Sequence, residues 1–189
     1  MSMTADGRLD TDEAMRMLDL ALAAAGTNDM ALSIENNRSP VQGESMRTYS
    51  DGKHRLDILG YDVHAGYRAA PGGGTQMLAL SHLYVVRRTD SATPSIASLL
   101  RGQSPSLKLV LSIYRAGGDN IQDADPMVEF VFDEARVAEI ALLTGGALGS
   151  PCEVIRFGYR SMKIEASTQR PDGTPGPKNT CELSAQGQS

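Results

Sequence analysis

Apolar residues follow a helical period at two places in this chain and a strand period through most of the rest. Met15, Leu18, Leu22 and Ala25 recur at helical spacing. Asp10 with Glu13 three residues later forms a capping box before them, and Gly26 can stop the helix. This stripe needs a surface, either that of a partner or that of its own domain. From Met30 the period shortens. Met30–Ile34 makes a short strand, Leu56–His64 alternates with apolar groups on both faces, and Leu78–Val86 makes a third strand. Residues 65–75, with Pro71-Gly72-Gly73-Gly74 at their centre, form a long hairpin connection between strands.

The second helix lies between Thr93 and Gly102. Thr93 suits the N-cap, Pro94 the first helical position, and Ile96, Leu99 and Leu100 give one apolar side. Leu107, Leu109, Leu111 and Ile113 then alternate along a strand that runs to a tight turn at Gly117-Gly118. Met127–Phe132, Val137–Leu143 and Cys152–Glu165 complete the strand set. Strands separated by closely spaced turns, with one helix set among them, argue for a mainly β barrel or sandwich. Residues 170–189, rich in Pro, Gly, Ser and Gln, read as a flexible polar tail.

At 189 residues, with 41% hydrophobic and 22% charged positions, the chain is one domain with extra length at its ends. A net charge of −5 argues against nucleic acid as a partner. The apolar run Met15–Ala25 is broken by Asp19, is too short to span a bilayer, and follows acidic residues where a signal peptide carries positive charge. The expectation is a protein made in the cytoplasm, without membrane insertion, that leaves the cell, if at all, without a Sec signal. Free thiols at Cys152 and Cys181 follow from the same reasoning.

Candidate chemistry is sparse. His54, His64 and His82 are the three histidines, and neither a G-x-S-x-G elbow nor H-E-x-x-H is present. A hydrolase would have to use His54 or His64 with Asp57. Pro71–Gly74 lacks the Lys-Ser/Thr of a phosphate loop, and Gly145–Gly149 leads to a strand instead of a helix, so both read as turns. Asp119, Asp123 and Asp125 lack EF-hand spacing and read as a solvated acidic turn. No catalytic, metal or cofactor constellation is expected.

Five segments in order nevertheless resemble the Hcp (haemolysin co-regulated protein) family of type VI secretion. They are Met30–Ile34; Gly43-Glu44-Ser45 followed by His54 and Leu56–Leu59; Ala92-Thr93-Pro94 with Gly102; Leu109–Gly118, ending in Ala-Gly-Gly; and Cys152–Ile164 followed by Gln169, Asp172 and Gly173. The resemblance implies a closed antiparallel β-barrel over residues 30–169, with one flanking α-helix. It also implies assembly into hexameric rings that can stack into a tube, and partners among spike, sheath and effector proteins. The connection carrying Pro71, Gly72, Gly73 and Gly74 would reach a neighbouring subunit. The helical arm at residues 1–29, the long tail and the expanded stretch between Thr144 and Pro151 are departures from the family pattern. Alternative readings are a specialised Hcp-like paralogue, a monomeric barrel that binds a small apolar ligand, and the hydrolase above.

Overall fold

A computed structural model describes residues 8–24, 29–45, 49, 52, 54–68, 76–114, 126–144, 149–169 and 175–184. After helix α1 (Thr11–Ala24) come β1 (Asp29–Asn36), β2 (Ser39–Pro40), β3 (Leu56–Ile58), β4 (Gly60–Asp62), β5 (Ala65–Arg68), β6 (Met77–Leu80) and β7 (Leu83–Arg88). Helix α2 (Thr93–Arg101) precedes β8 (Leu107–Tyr114), β9 (Val128–Thr144), β10 (Pro151–Gly158), β11 (Ser161–Gln169) and β12 (Pro175–Ser184).

Ten strands form one antiparallel sheet along the path β2-β1-β8-β9-β10-β7-β4, with β11 between β9 and β12, and β3 on β1. β5 and β6 form a separate two-stranded sheet. β3 and β4 are separated only by Leu59. β3 pairs with β1 and β4 with β7, and the Leu59 N–H donates to the Val86 carbonyl at 2.8 Å. Residues 56–62 therefore bridge the two ends of the strand path.

The long strand β9 makes this wrapping possible. Its first half pairs with β8 and β11, and its second half with β10. Between the halves the register against β8 slips, from Leu109↔Phe132 to Leu107↔Ala135, and Glu134 sits at φ 50°. This is a β-bulge, which bends a strand and adds twist. The polar run Asp133-Glu134 suggests an interruption between two strands, whereas the structure keeps one strand and turns it there.

Alternation holds where one face is wet. Leu107, Leu109 and Leu111 of β8 are fully buried, with Lys108 exposed between the first two. They join Leu32, Ile34, Leu83, Phe132 and Phe157 in one core, to which α2 adds Ile96 and Leu99. β7 and β10 differ, being buried on both faces. Leu83, Val85, Ile155 and Phe157 point into the main core, while Tyr84, Val86, Cys152 and Val154 belong to a second cluster under α1.

The arm thus docks on its own domain, and through a different stripe from the one expected. Ala14, Met17, Leu18 and Ala21 are buried, whereas Met15 and Leu22 are only partly so. Small residues let the helix lie close to the sheet: a Cβ added at Gly60 would come 3.0 Å from that of Ala21. Asp10 Oδ1 accepts the Asp12 N–H at 3.2 Å, while Glu13 turns to Arg16 and does not close the capping box.

Other expectations shift. The run 56–64 is broken at Leu59 by the change of partner, and 78–86 is split at Ser81-His82, where β6 leaves for the separate hairpin. Residues 152–165 form two strands joined at Tyr159-Arg160. Thr93 is the first helical residue of α2, and the N-cap is Ala92, which has no side chain able to cap. Half of the stretch expected as a flexible tail is the edge strand β12, paired with β11 from Ser161↔Ser184 onward. Its side chains are mostly exposed and its order comes from backbone pairing, so no apolar period announces it; prolines are tolerated because it is an edge.

Leu111→Ala should lower unfolding free energy by about 2–5 kcal/mol, the range for emptying a sealed leucine site, whereas Leu142→Ala, at a side chain 65% exposed, should change it by less than about 0.5 kcal/mol. Urea unfolding followed by far-UV circular dichroism checks the contrast; equal losses would mean that the core is placed wrongly.

Candidate functional site

Two charged residues lie at the centre of the β7–β10 pair. Arg87 and Glu153 are cross-strand partners, and both are essentially inaccessible to solvent. Arg87 Nη1 donates to Glu153 Oε1 at 2.7 Å and Nη2 to Asp90 Oδ1 at 2.5 Å. Asp90 Oδ1 also accepts the Ala92 N–H at 2.8 Å, which supplies the cap that Ala92 lacks, and Oδ2 accepts the Glu44 N–H at 3.2 Å. Glu44 Oε1 in turn accepts the Ser91 N–H at 3.3 Å, and Ser45 donates its hydroxyl to Asp57 at 2.9 Å. Gly43 is required here, because a Cβ would come 2.7 Å from Leu56 Cδ2 and 2.9 Å from Asp90 Oδ2. The Gly43-Glu44-Ser45 segment is therefore a clip that joins the start of α2 to β3 and β7.

Burial alone would raise the Asp90 pKa. Hydrogen bonds from Arg87 and from the Ala92 and Glu44 N–H groups, with the Arg87 charge, more than reverse this and hold it below the usual carboxylate range. Glu153 goes the other way: burial outweighs the attraction of Arg87 and a hydrogen bond from Thr93, and its pKa is raised. The two carboxylates thus oppose one another in the acid stability of the network. The signal for it in the sequence was the lone Glu153 inside the apolar run Cys152-Glu153-Val154, whereas Arg87, followed by Arg88, reads as the polar end of its strand.

The second feature is an exposed hairpin. β5 and β6 pair in register from Ala65↔Leu80 to Arg68↔Met77, apart from the main sheet. All four residues of β5 are exposed, and the Tyr67 side chain is 71% accessible. Pro71, Gly72, Gly73 and Gly74, expected to touch a neighbour, lie outside the described residues, as do Asp119, Asp123, Asp125, Gly117-Gly118 and Gly145–Leu148.

The histidines are not brought to the aspartate that a hydrolase would need. His64 Nε2 lies 3.1 Å from Asp62 Oδ1, and Asp57 accepts from Ser45. His54 and His82 are exposed; partial burial, then the charges of Arg156 and Arg136, lower the His82 pKa against a smaller opposing pull from Glu139. Cys152 is buried and Cys181 exposed, both as free thiols. Among the described residues no His, Cys, Asp and Glu side chains gather in a group able to hold a metal, and no helix is long and apolar enough to cross a membrane.

Among the described residues the geometry defines a mainly β protein with two helices, a buried charged pair and an exposed two-stranded hairpin. The family model for the type VI secretion system effector Hcp matches residues 32–165, and the chain belongs to that family. A solved structure of a type six secretion system protein is 25% identical, with a TM-score of 0.66, over 83% of this chain and 95% of its own. Hcp1 from Salmonella typhimurium shares the fold at 14% identity and TM-score 0.64, over 84% of this chain and 96% of its own. A type VI secretion system effector from Yersinia pestis does so at 16% and 0.62, over 83% of this chain and 100% of its own. No curated protein matches the chain. The matched residues begin after α1 and end before β12.

Glu153→Ala should lower stability by about 3–5 kcal/mol by leaving Arg87 buried with one partner fewer, and replacing both by Arg87→Met with Glu153→Leu should recover most of that loss. Denaturant unfolding of the two variants measures it. A double variant as unstable as Glu153→Ala would show the pair to be worth more than apolar packing.

Proposed function

We propose that this Hcp-family protein is a structural tube subunit and effector carrier of a type VI secretion system, assembling as hexameric rings and catalysing no reaction. The observation that carries the reading is the family match across the whole run from β1 to β11. The bridging of the strand path by residues 56–62 supports the finer reading of a barrel closed on itself. An enclosed core filled by Leu, Ile, Val and Phe side chains argues against an interior apolar-ligand site and in favour of a rigid building block.

A ring of identical subunits joins two different patches of each copy. The β5–β6 hairpin suits one of them. An isolated two-stranded hairpin is marginally stable, and ordering its connection costs about 1–2 kcal/mol per residue, so a neighbour that holds Pro71–Gly74 and Tyr67 would offset that cost. The partners of the ring would be its own copies, the spike and sheath, and a carried effector. Export would follow the secretion machinery itself, without a Sec signal.

Light scattering after size exclusion should give a mass near six times the 20.2 kDa chain, stable on dilution. Deletion of Gly72–Gly74 should shift the mass towards monomer without altering the β-type circular dichroism. A monomer for the unmodified chain would overturn the ring, whereas an intact ring after the deletion would overturn only the loop's role in it.

A further inference from the structure

The side chains that hold α1 to the barrel form a cluster that shares no residue with the main core. Leu9, Ala14, Met17, Leu18 and Ala21 meet Tyr84, Val86, Cys152 and Val154 on the outer face of β7 and β10. The main core lies on the opposite face of the same strands. Helix and barrel therefore have separate apolar contents on the two sides of one sheet, and losing the outer cluster removes no residue from the inner one. The helix adds no strand to the sheet and is covalently continuous with it only through residues 25–28. The family match begins at residue 32, beyond the helix altogether.

At the other end, a β-bridge at Leu9 and a polar contact of the same residue help to fasten the arm. The Leu9 N–H lies 3.2 Å from both carboxylate oxygens of Glu139 on β9. Glu139 is held in turn by Arg156 Nη2 at 3.1 Å from Oε2. A backbone N–H on a partly exposed carboxylate is a contact that water can replace.

We propose that α1 is a detachable strap, latched by Glu139, which leaves the β7–β10 face as a unit while the barrel stays folded. In the resting protein the occupant of that face is the strap of the same chain. Release uncovers a continuous apolar strip, Tyr84, Val86, Cys152 and Val154. Local opening of this kind is expected where an element's apolar contacts are confined to a satellite cluster.

Cys152 is a built-in reporter, 1% exposed beneath the helix, and Cys181→Ser leaves it as the sole thiol of the full chain. In that background, maleimide labelling of Cys152 should rise with urea less steeply than exchange of the core amides does, the mark of an opening that exposes only part of the surface exposed by global unfolding. Leu18→Ala should accelerate labelling by roughly tenfold or more, as expected from emptying a buried leucine site. Glu139→Gln, which leaves the apolar contacts untouched, should accelerate it several-fold, in line with the loss of one charge-assisted hydrogen bond. Hydrogen exchange of the Leu109 and Leu111 amides should stay unchanged in both variants. Labelling that tracks exchange of those core amides, or that rises as steeply with urea as that exchange does, would overturn the proposal by placing α1 in the same cooperative unit as the barrel. If Leu18→Ala fails to fold, Glu139→Gln decides alone, and an unaltered labelling rate in it would remove the latch.

Discussion

β7 and β10 are buried on both faces, and this constraint runs through the rest of the structure. A strand in an antiparallel sheet normally keeps one face in water and alternates accordingly. These two have no wet face over most of their length: the main core lies on one side and α1 on the other. Their sequences, Leu-Tyr-Val-Val-Arg and Cys-Glu-Val-Ile-Arg-Phe, are accordingly near-continuous in apolar character. An Arg and a Glu in such a setting are tolerated only if paired and further hydrogen-bonded. Asp90 and Thr93 meet part of that demand, leaving Arg87 Nε and Glu153 Oε2 without a hydrogen-bond partner, and Asp90 with the Gly43–Ser45 clip ties the network to the start of α2. The charged pair of two strands is thus linked to the start of a helix.

The same constraint explains what could be read in advance. β8 was legible through leucines alternating against Lys108 in its first half, and β1 through its apolar run. So was α2, because Pro94 and Gly102 bracket an apolar face. The double burial of β7 and β10 hid the true contact stripe of α1, since Met15, Leu18, Leu22 and Ala25 give as good a helical period as the buried Ala14, Met17, Leu18 and Ala21. Two alanines carry little weight in a hydrophobic pattern, yet close approach to Gly60 needs them. The bulge at Glu134 escaped notice because a polar pair in a strand pattern signals a turn as readily as a bend. β12 escaped because its order lies in backbone pairing. Of the candidate site, Gly43-Glu44-Ser45 was legible as a family motif, while its role as a clip needed Asp90 and Leu56 beside it in space.

The division into two apolar clusters also bears on how a family fold accepts an addition. A new element packed into the main core would have to displace side chains already close-packed, at a cost of about 1–3 kcal/mol per misfit. An element added outside needs only an apolar strip on the outer face and a place for its terminus. Tyr84, Val86, Cys152 and Val154 supply the strip, and Glu139 with Arg156 the terminus. The residues that the family model matches, 32–165, lie outside the added helix.

Assembly and the arm then act through different parts of one molecule. The exposed hairpin β5–β6 follows β4 by two residues, and β4 is the strand whose Gly60 lies under α1. The hairpin is joined to β4 on one side and, through Ser81-His82, to β7 on the other. The paired positions Gly60↔Val86, Tyr61↔Val85 and Asp62↔Tyr84 connect β4 to β7. Tyr84 and Val86 are also half of the strip beneath the arm. A route of three short contacts therefore runs from the surface proposed for the ring to the surface covered by the strap, with β4 as the shared element. Its existence requires only that hairpin and helix compete for the position of one three-residue strand.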